Sequence, residues 1–245
     1  MMPPMDPVVL LHAGVCDRRM WDQIVPALHD AGRRVVAPDL RGFGSRPFGI
    51  APFTHARDVL ALLDGLGADS ADVVGASFGG RVALDVASLA PERVSSLALL
   101  APGFPQWDWS EQIETYGRAE EAAMLRGDHD EAVRLNLDIW GPNLSPADRD
   151  YVAECVRTSA ERDAEYVEEE QVEPPLQDRL DRITAKTLVA VGDADVPDFV
   201  AIARHLADTL PGPDLEVLPG AGHLLALERP DEVSSLLAAW LRREE

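Results

Sequence analysis

The chain has 245 residues, 46% of them hydrophobic, and its 43 acidic and 22 basic residues give a formal net charge of −21. This length fits one α/β domain carrying an insertion, and the hydrophobic fraction is ordinary for a globular core. The acidic balance argues against nucleic acid and anionic membrane surfaces as partners.

Short, continuously apolar runs alternate with helical patterns along the chain. The predicted strands are residues 7–12, 33–39, 71–77, 95–101, 186–193 and 214–220, and the predicted helices are 17–31, 54–66, 79–90, 198–210 and 231–243. Runs without a polar face are typical of strands buried on both sides. We therefore predict an α/β fold, a mostly parallel sheet of about six strands with helices on both faces.

The alternation stops between residues 103 and 182, where acidic helical patterns occur and no strand is predicted. Residues 108–178 contain 20 acidic and 6 basic residues, so −14 of the net charge lies there. We predict a core formed by residues 1–102 and 183–245, with helices 103–182 inserted after the fourth strand.

The cysteines and the first residues predict the compartment. Cys16 and Cys155 make no disulfide framework and match no zinc spacing, so we expect free thiols in a reducing compartment. The start "MMPPMDPVVLLHAG" has no basic region and too short an apolar run for a signal peptide. No segment approaches the length of a membrane span, so we expect a cytoplasmic protein.

The stretch "VVGASFGG" places Ser77 between Gly75 and Gly79, where a predicted strand ends and a helix begins. A sharp turn there projects the serine outward and leaves no room for a Cβ two positions either side. The N–H of Phe78, at the helix N-terminus, then points to where charge develops on a substrate oxygen. We interpret Ser77 as a nucleophile. The alternatives are a small filler in a tight turn and a phosphate loop, whose G-x-G-x-x-G spacing is missing.

A serine nucleophile needs a base, and the base needs an acid that orients it. Of six histidines, His223 follows the last predicted strand, on a loop that glycines make pliable. Asp195 follows the preceding strand, so both side chains are expected at one edge of the sheet. Asp193 is the rival acid, but Asp195 lies further past the strand and has more freedom to reach the histidine.

These motifs, in this order, resemble the α/β-hydrolase superfamily. The matching stretches are "LLHAGVCDRRMW", "APDLRGFGS", "VVGASFGG", "GDADVP" and "GAGHLLALERPDEV". The resemblance implies that Asp195 is the acid and that the N–H of Gly14, or of Val15 if the loop shifts, joins that of Phe78 as oxyanion donor. It also implies that residues 103–182 form a small helical cap over the active site.

The chain departs from the family pattern at three places. "HAG" replaces H-G-x, and Arg46 stands where a serine is usual. Members usually carry two further strands before the HG loop, but here eleven residues precede His12, so those strands are expected to be missing. The first strand, or another in its place, would then be a bare edge, which predicts a homodimer.

Aromatic side chains near the insertion are candidates to line a pocket, with packing inside the cap as the alternative for each. The candidate substrate contacts are Val15, Phe104, Trp107 and Trp140, followed by Trp109, Tyr116, Tyr151 and Tyr166. The acidic cap predicts a neutral or cationic small-molecule substrate.

The sequence thus predicts a serine hydrolase for a small carboxylic ester, lactone or thioester, with Ser77, His223 and Asp195 as triad and with no cofactor or metal. Three alternatives stay open: a C–C bond hydrolase, a perhydrolase, and a non-catalytic or single-turnover ligand sensor.

Overall fold

The computed structural model describes residues 6–49, 52–162, 169–210 and 214–242. Its six strands form one sheet of order β2-β1-β3-β4-β5-β6, and all neighbouring pairs are parallel. The strands are β1 Val8–Leu11, β2 Val35–Val36, β3 Ala71–Ala76, β4 Val94–Leu100, β5 Lys186–Gly192 and β6 Asp214–Leu218. The predicted fold class and strand number are confirmed.

Helices follow the strands along the chain. The α-helices are α1 Val25–Asp30, α2 His55–Leu66, α3 Phe78–Leu89, α4 Glu111–Leu125, α5 His129–Trp140, α6 Pro146–Glu161, α7 Pro197–Thr209, α8 Leu225–Glu228 and α9 Pro230–Trp240. Short 3-10 helices span Arg18–Trp21, Pro91–Arg93, Leu176–Asp178 and Leu180–Arg182. No helix in the described ranges is long and apolar enough to cross a membrane.

Two predicted elements differ from the structure. The predicted strand 33–39 is reduced to Val35–Val36, because Pro38 has no N–H to extend the ladder. The predicted helix 17–31 is divided into a 3-10 turn, which the Asp17 carboxylate caps at the N–H of Arg19, and the separate helix α1.

Hydrophobic residues fill both faces of the sheet. Val8 and Leu10 of β1 join one buried cluster, whereas Val9 and Leu11 join the other, as the two-residue period of a strand requires. Helices α1 and α9 cover the first face, and α2, α3 and α7 cover the second. This burial on both sides explains why β1, β3, β4 and β5 read as continuous apolar runs. The expectation of burial was wrong for β6, an edge strand whose first four residues are exposed, because no further strand pairs with it among the described residues.

Helices α4, α5 and α6 lie between β4 and β5 in the chain, and we call them the helical insertion. Helix α5 packs against both of the others. Residues Leu137, Trp140 and Val152 join the hydrophobic cluster on the first face of the sheet. The insertion is therefore fastened to the core through shared apolar packing.

The edges of the sheet are β2 and β6, with β1 lying between β2 and β3. Within the described residues, the sheet therefore ends beyond β1 at the short strand β2, whose two residues are partly buried. The homodimer stays a prediction.

Candidate active site

Ser77 occupies the sharp turn between β3 and α3 with φ of 49°, in the left-handed region that side chains rarely adopt. Its N–H donates to the Leu100 carbonyl at 2.9 Å, and its carbonyl accepts from the Gly103 N–H at 2.9 Å. These bonds to the end of β4 hold the strained residue in place. The backbone from which the Ser77 side chain projects is therefore held in one conformation.

The glycines around Ser77 are required by close backbone contacts. A Cβ on Gly75 would lie 2.3 Å from the Gly79 carbonyl oxygen. A Cβ on Gly79 would lie 2.2 Å from the carbonyl oxygen of Leu11. As predicted, the two glycines are thus required because a side chain at either position would collide with the backbone.

Three loops bring a hydroxyl, an imidazole and a carboxylate into contact. The distance from Ser77 Oγ to His223 Nε2 is 2.8 Å. His223 Nδ1 lies 2.9 Å from Asp195 Oδ2 and 3.1 Å from Oδ1. With the proton on Nδ1, the imidazole donates to Asp195 and accepts from the serine hydroxyl. His223 and Asp195 are both buried, so the contacts are shielded from water.

Asp193 has a different place from Asp195. It is exposed, and its Oδ1 accepts from the Gly220 N–H at 2.6 Å, which ties the loop after β5 to the loop after β6. The structure brings Asp195, the residue preferred from the sequence, to the imidazole.

The loop that holds His223 is fixed by a residue that the sequence analysis missed. Glu228 of α8 accepts from the Gly222 N–H at 2.7 Å. A Cβ on Gly192 would lie 2.0 Å from the Ala221 carbonyl oxygen, so the loops after β5 and β6 pack in direct contact. Glu228 is visible in the sequence as an acidic residue five positions after His223. Its role could not be predicted, because its partner, the Gly222 N–H, lies in a loop of irregular backbone.

The two amides expected to bind an oxyanion belong to neighbouring residues in space. A Cβ on Gly14 would lie 3.4 Å from the Cβ of Phe78. Gly14 and Val15 are partly buried, and the turn is closed by the Cys16 N–H donating to the Ala13 carbonyl at 3.0 Å. The loop after β1 therefore lies beside the N-terminus of α3.

His12 anchors this loop through both of its ring nitrogens. Its Nε2 accepts from the Leu40 N–H at 3.0 Å, and its Nδ1 donates to the Ala13 carbonyl at 2.8 Å. Burial lowers the pKa of His12. The neutral ring therefore keeps one tautomer, and the family departure "HAG" leaves the anchoring intact. The second departure, Arg46, pairs with Asp58 at 2.8 Å.

Two aromatic rings contact the His223 imidazole. The Trp140 ring centroid, from α5, lies 4.6 Å away with an interplanar angle of 42°. The Phe199 centroid, from α7, lies 4.3 Å away at 66°. Trp140 was predicted from the sequence as a candidate pocket residue. Phe199 was not predicted, because its position is typical of any apolar residue in an amphipathic helix.

The other aromatic candidates are distributed around this pair. Trp109 packs on the Phe199 ring at 5.6 Å, and Tyr116 packs on the Trp140 ring at 5.3 Å. Val15 and Tyr151 pack against the same hydrophobic cluster. Tyr166 lies outside the described residues.

Phe104 and Trp107 are grouped with another histidine. Each ring lies 5.7 Å from that of His205, and all three line a cleft of about 420 Å³ beside α7. The structure thus places these two residues apart from the rings that contact His223. Their role as substrate contacts is still a prediction.

His55, the first residue of α2, is buried. Its ring lies 5.0 Å from that of Phe78 and 5.1 Å from that of Phe53. Burial, together with the positive charge of Arg81, lowers the pKa of His55 to about 3. The ring therefore packs as a neutral group.

Within the described residues, no group of three or more His, Cys, Asp or Glu side chains is arranged to hold a metal ion.

Known proteins share this arrangement of sequence and fold. A model of the Alpha/beta hydrolase family matches residues 8–236. The putative carbamate hydrolase RutD of Variovorax paradoxus is 31% identical over 239 residues, which cover 88% of this chain and 84% of that protein. The pimeloyl-(acyl-carrier protein) methyl ester esterase of Neisseria meningitidis is 28% identical over 242 residues, covering 94% and 90%. The structure of a malate-bound thermophilic esterase from Thermogutta terrifontis is similar with a TM-score of 0.74, 28% identity, and coverage of 97% and 90%.

Proposed function

Because the chain belongs to the α/β-hydrolase family, we propose that it is a serine hydrolase acting on a small carboxylic ester, lactone or thioester. The observation that carries this proposal is the contact of Ser77 with His223 at 2.8 Å and of His223 with Asp195 at 2.9 Å. Three chemically coupled side chains from loops far apart in sequence have no packing reason to meet at the carboxyl edge of a sheet.

The hydrogen bonds of the triad support the following acylation step. His223 Nε2 takes the proton of the Ser77 hydroxyl as the oxygen attacks the substrate carbonyl carbon. Asp195 keeps the second proton on Nδ1 and stabilises the imidazolium. Nε2 then passes its proton to the leaving group, and the acyl group remains on Ser77.

The N–H groups of Gly14 and Phe78 serve as the oxyanion donors. The closeness of the two residues supports this role, since a Cβ on Gly14 would lie 3.4 Å from the Cβ of Phe78 and paired N–H groups stabilise charge that develops on one substrate oxygen. In the second half of the reaction, His223 removes a proton from water, which attacks the acyl-enzyme. The bond between the acyl group and Ser77 then breaks, His223 Nε2 returns its proton to the serine oxygen, and the carboxylic acid leaves.

The helical insertion acts as the cap of this site. The cap segment comprises residues 103–182, and the core comprises residues 1–102 and 183–245. Trp140 supports this role because its indole, carried by α5, lies against the His223 imidazole. The Phe199 ring beside the imidazole is apolar, which favours an uncharged acyl group. The carbamate and the methyl ester in the names of the two relatives both contain a carbonyl carbon that a serine nucleophile can attack.

The acidic surface adds an expectation about substrate charge. Residues 108–178 carry 20 acidic and 6 basic residues, so an anionic ester approaches against an unfavourable field. Added salt should therefore raise kcat/KM for an anionic ester relative to a matched neutral ester. An equal response of the two esters would contradict this preference.

The test of the proposed function is turnover of p-nitrophenyl esters, lactones and thioesters by the wild-type protein and by Ser77→Ala. We expect many turnovers per active site from the wild type and a loss of about 10³-fold or more in the variant. One slow turnover per molecule would instead identify a ligand sensor. Equal rates in both proteins would refute the proposal.

A further inference from the structure

We propose that Trp140 is a positioning residue for the hydrolysis, holding the His223 imidazole in line with Ser77. This inference rests on the proposed function and assigns a mechanical task to the helical insertion beyond covering the site. It follows from three observations: the contacts of the imidazole, the polar chain behind the indole, and the elements that carry them.

Asp195 alone leaves the plane of the imidazole free to tilt. The carboxylate contacts the ring at Nδ1, at 2.9 Å, and a hydrogen bond at one ring atom does not fix the plane of the ring. Tilting carries Nε2 away from Ser77. Packing contacts on the ring oppose this tilt.

Two aromatic rings supply these contacts, and they come from different parts of the chain. Phe199 belongs to α7 of the core, with its centroid 4.3 Å from the imidazole. Trp140 belongs to the helical insertion, with its centroid at 4.6 Å. The two rings also touch each other, edge to face, at 5.5 Å. The imidazole is therefore packed against a rigid pair of rings rather than against flexible aliphatic side chains.

The indole itself is fixed by hydrogen bonds within the helical insertion. Trp140 Nε1 donates to the Tyr116 hydroxyl at 3.0 Å, and that hydroxyl donates to Asn136 Oδ1 at 2.7 Å. Asn136, which is buried, donates from Nδ2 to Glu120 at 2.6 Å and to the Ala132 carbonyl at 2.9 Å. Burial raises the pKa of Tyr116 well above its ordinary value, so the hydroxyl keeps the proton that it donates.

This polar chain has no packing need that leucines would not meet equally well. A partly buried network around the buried Asn136 is costly unless every member is satisfied, and here each member has a partner. What the network achieves is one orientation of the indole. That orientation lays the indole against the imidazole of His223.

The test uses Trp140→Leu, Trp140→Phe and Tyr116→Phe, with Trp240→Leu as the matched control. Trp240 contacts Lys186, the first residue of β5. It therefore lies near the amino ends of the strands, whereas the triad lies at their carboxyl ends. Each protein is assayed with p-nitrophenyl acetate and p-nitrophenyl butyrate. A second readout is the NMR resonance of the His223 Cε1–H in histidine-labelled protein, assigned with His223→Gln.

A positioning role predicts that Trp140→Leu lowers kcat by about 10- to 100-fold, by the same factor for both esters. Trp140→Phe keeps a ring and should recover part of the loss. Tyr116→Phe keeps both rings but frees the indole, and should lower kcat by less than Trp140→Leu. The His223 resonance should move in all three variants and stay in place in Trp240→Leu, because ring currents depend on the distance and angle between the rings.

Several results would overturn the inference. One is kcat in Trp140→Leu equal to that of Trp240→Leu, and another is a loss confined to KM or to one of the two esters, which marks a substrate contact. If Trp140→Leu fails to fold, an unchanged kcat in both Trp140→Phe and Tyr116→Phe has the same force. Where the wild type turns over neither ester, the same variants are assayed with two lactones or two thioesters. A wild-type protein that turns over none of these substrates refutes the proposed function instead, so the two failures are distinguishable.

Discussion

Replacement of His55 by glutamine should make the protein less sensitive to acid. In the folded state burial and the charge of Arg81 lower the pKa of His55 to about 3, against 6.5 for an unperturbed histidine. Between these two values the unfolded chain binds a proton that the folded chain refuses. Stability is therefore fully present above pH 6.5 and is lost as pH falls towards 3.

The size of the effect follows from the two pKa values. At pH 5 an unfolded histidine is almost fully protonated, whereas His55 in the fold is neutral. The linkage relation then gives a loss of about 2 kcal/mol between pH 8 and pH 5 from this residue alone. The glutamine side chain does not titrate, so His55→Gln removes this contribution whatever it does to stability at pH 8.

Urea unfolding at pH 8 and pH 5 measures the effect as a difference between two free energies of unfolding. We expect that difference to be about 2 kcal/mol smaller in His55→Gln than in the wild type. His29→Gln, which replaces an exposed histidine of α1, is the control and should keep the wild-type difference. A His55→Gln protein that loses as much stability as the wild type would refute the assignment of a buried neutral ring.

Three further predictions concern the triad and its support. Asp195→Asn should lower kcat by about 10⁴-fold with the circular dichroism spectrum unchanged, because the amide favours the wrong tautomer of His223; a loss below tenfold would contradict the role of the carboxylate. Gly79→Ala should lower the free energy of unfolding by about 1–3 kcal/mol in urea, because its Cβ would lie 2.2 Å from a backbone oxygen; unchanged stability would show that the turn relaxes freely. Arg179→Met should lower the free energy of unfolding by about 3–5 kcal/mol, visible as a lower Tm, because it leaves the Asp85 carboxylate of α3 buried without its partner at 2.6 Å. Arg118→Met, at an exposed ion pair, is the control, and equal Tm values for the two variants would refute the argument.

The sheet and the strand–helix turn were predictable because their signals are local. Continuous apolar runs mark strands buried on both faces, and the spacing of Gly75, Ser77 and Gly79 encodes a turn whose close contacts lie within a few residues or on the adjacent strand. His223 and Asp195 were found because the ends of parallel strands meet at one edge of the sheet.

The remaining features depend on contacts between distant segments, which a single sequence does not encode locally. Phe199 resembles any apolar residue of an amphipathic helix, and its contact with His223 arises from the packing of α7 beside the loop after β6. His55 follows a helix cap and looks exposed, but three phenylalanine rings from separate segments bury it. The length of β2 was overestimated because β-branched residues predict a strand even where an edge ladder stops after two residues.

Covalent capture by a fluorophosphonate tests the central claim most directly, because the probe reacts with a serine whose proton a neighbouring base removes. Intact mass should show one adduct per wild-type molecule, and peptide mapping should place it on Ser77. His223→Gln should label far more slowly, and Ser77→Ala should not label. An adduct on another residue, or undiminished labelling of Ser77→Ala, would contradict the claim that Ser77 is the nucleophile.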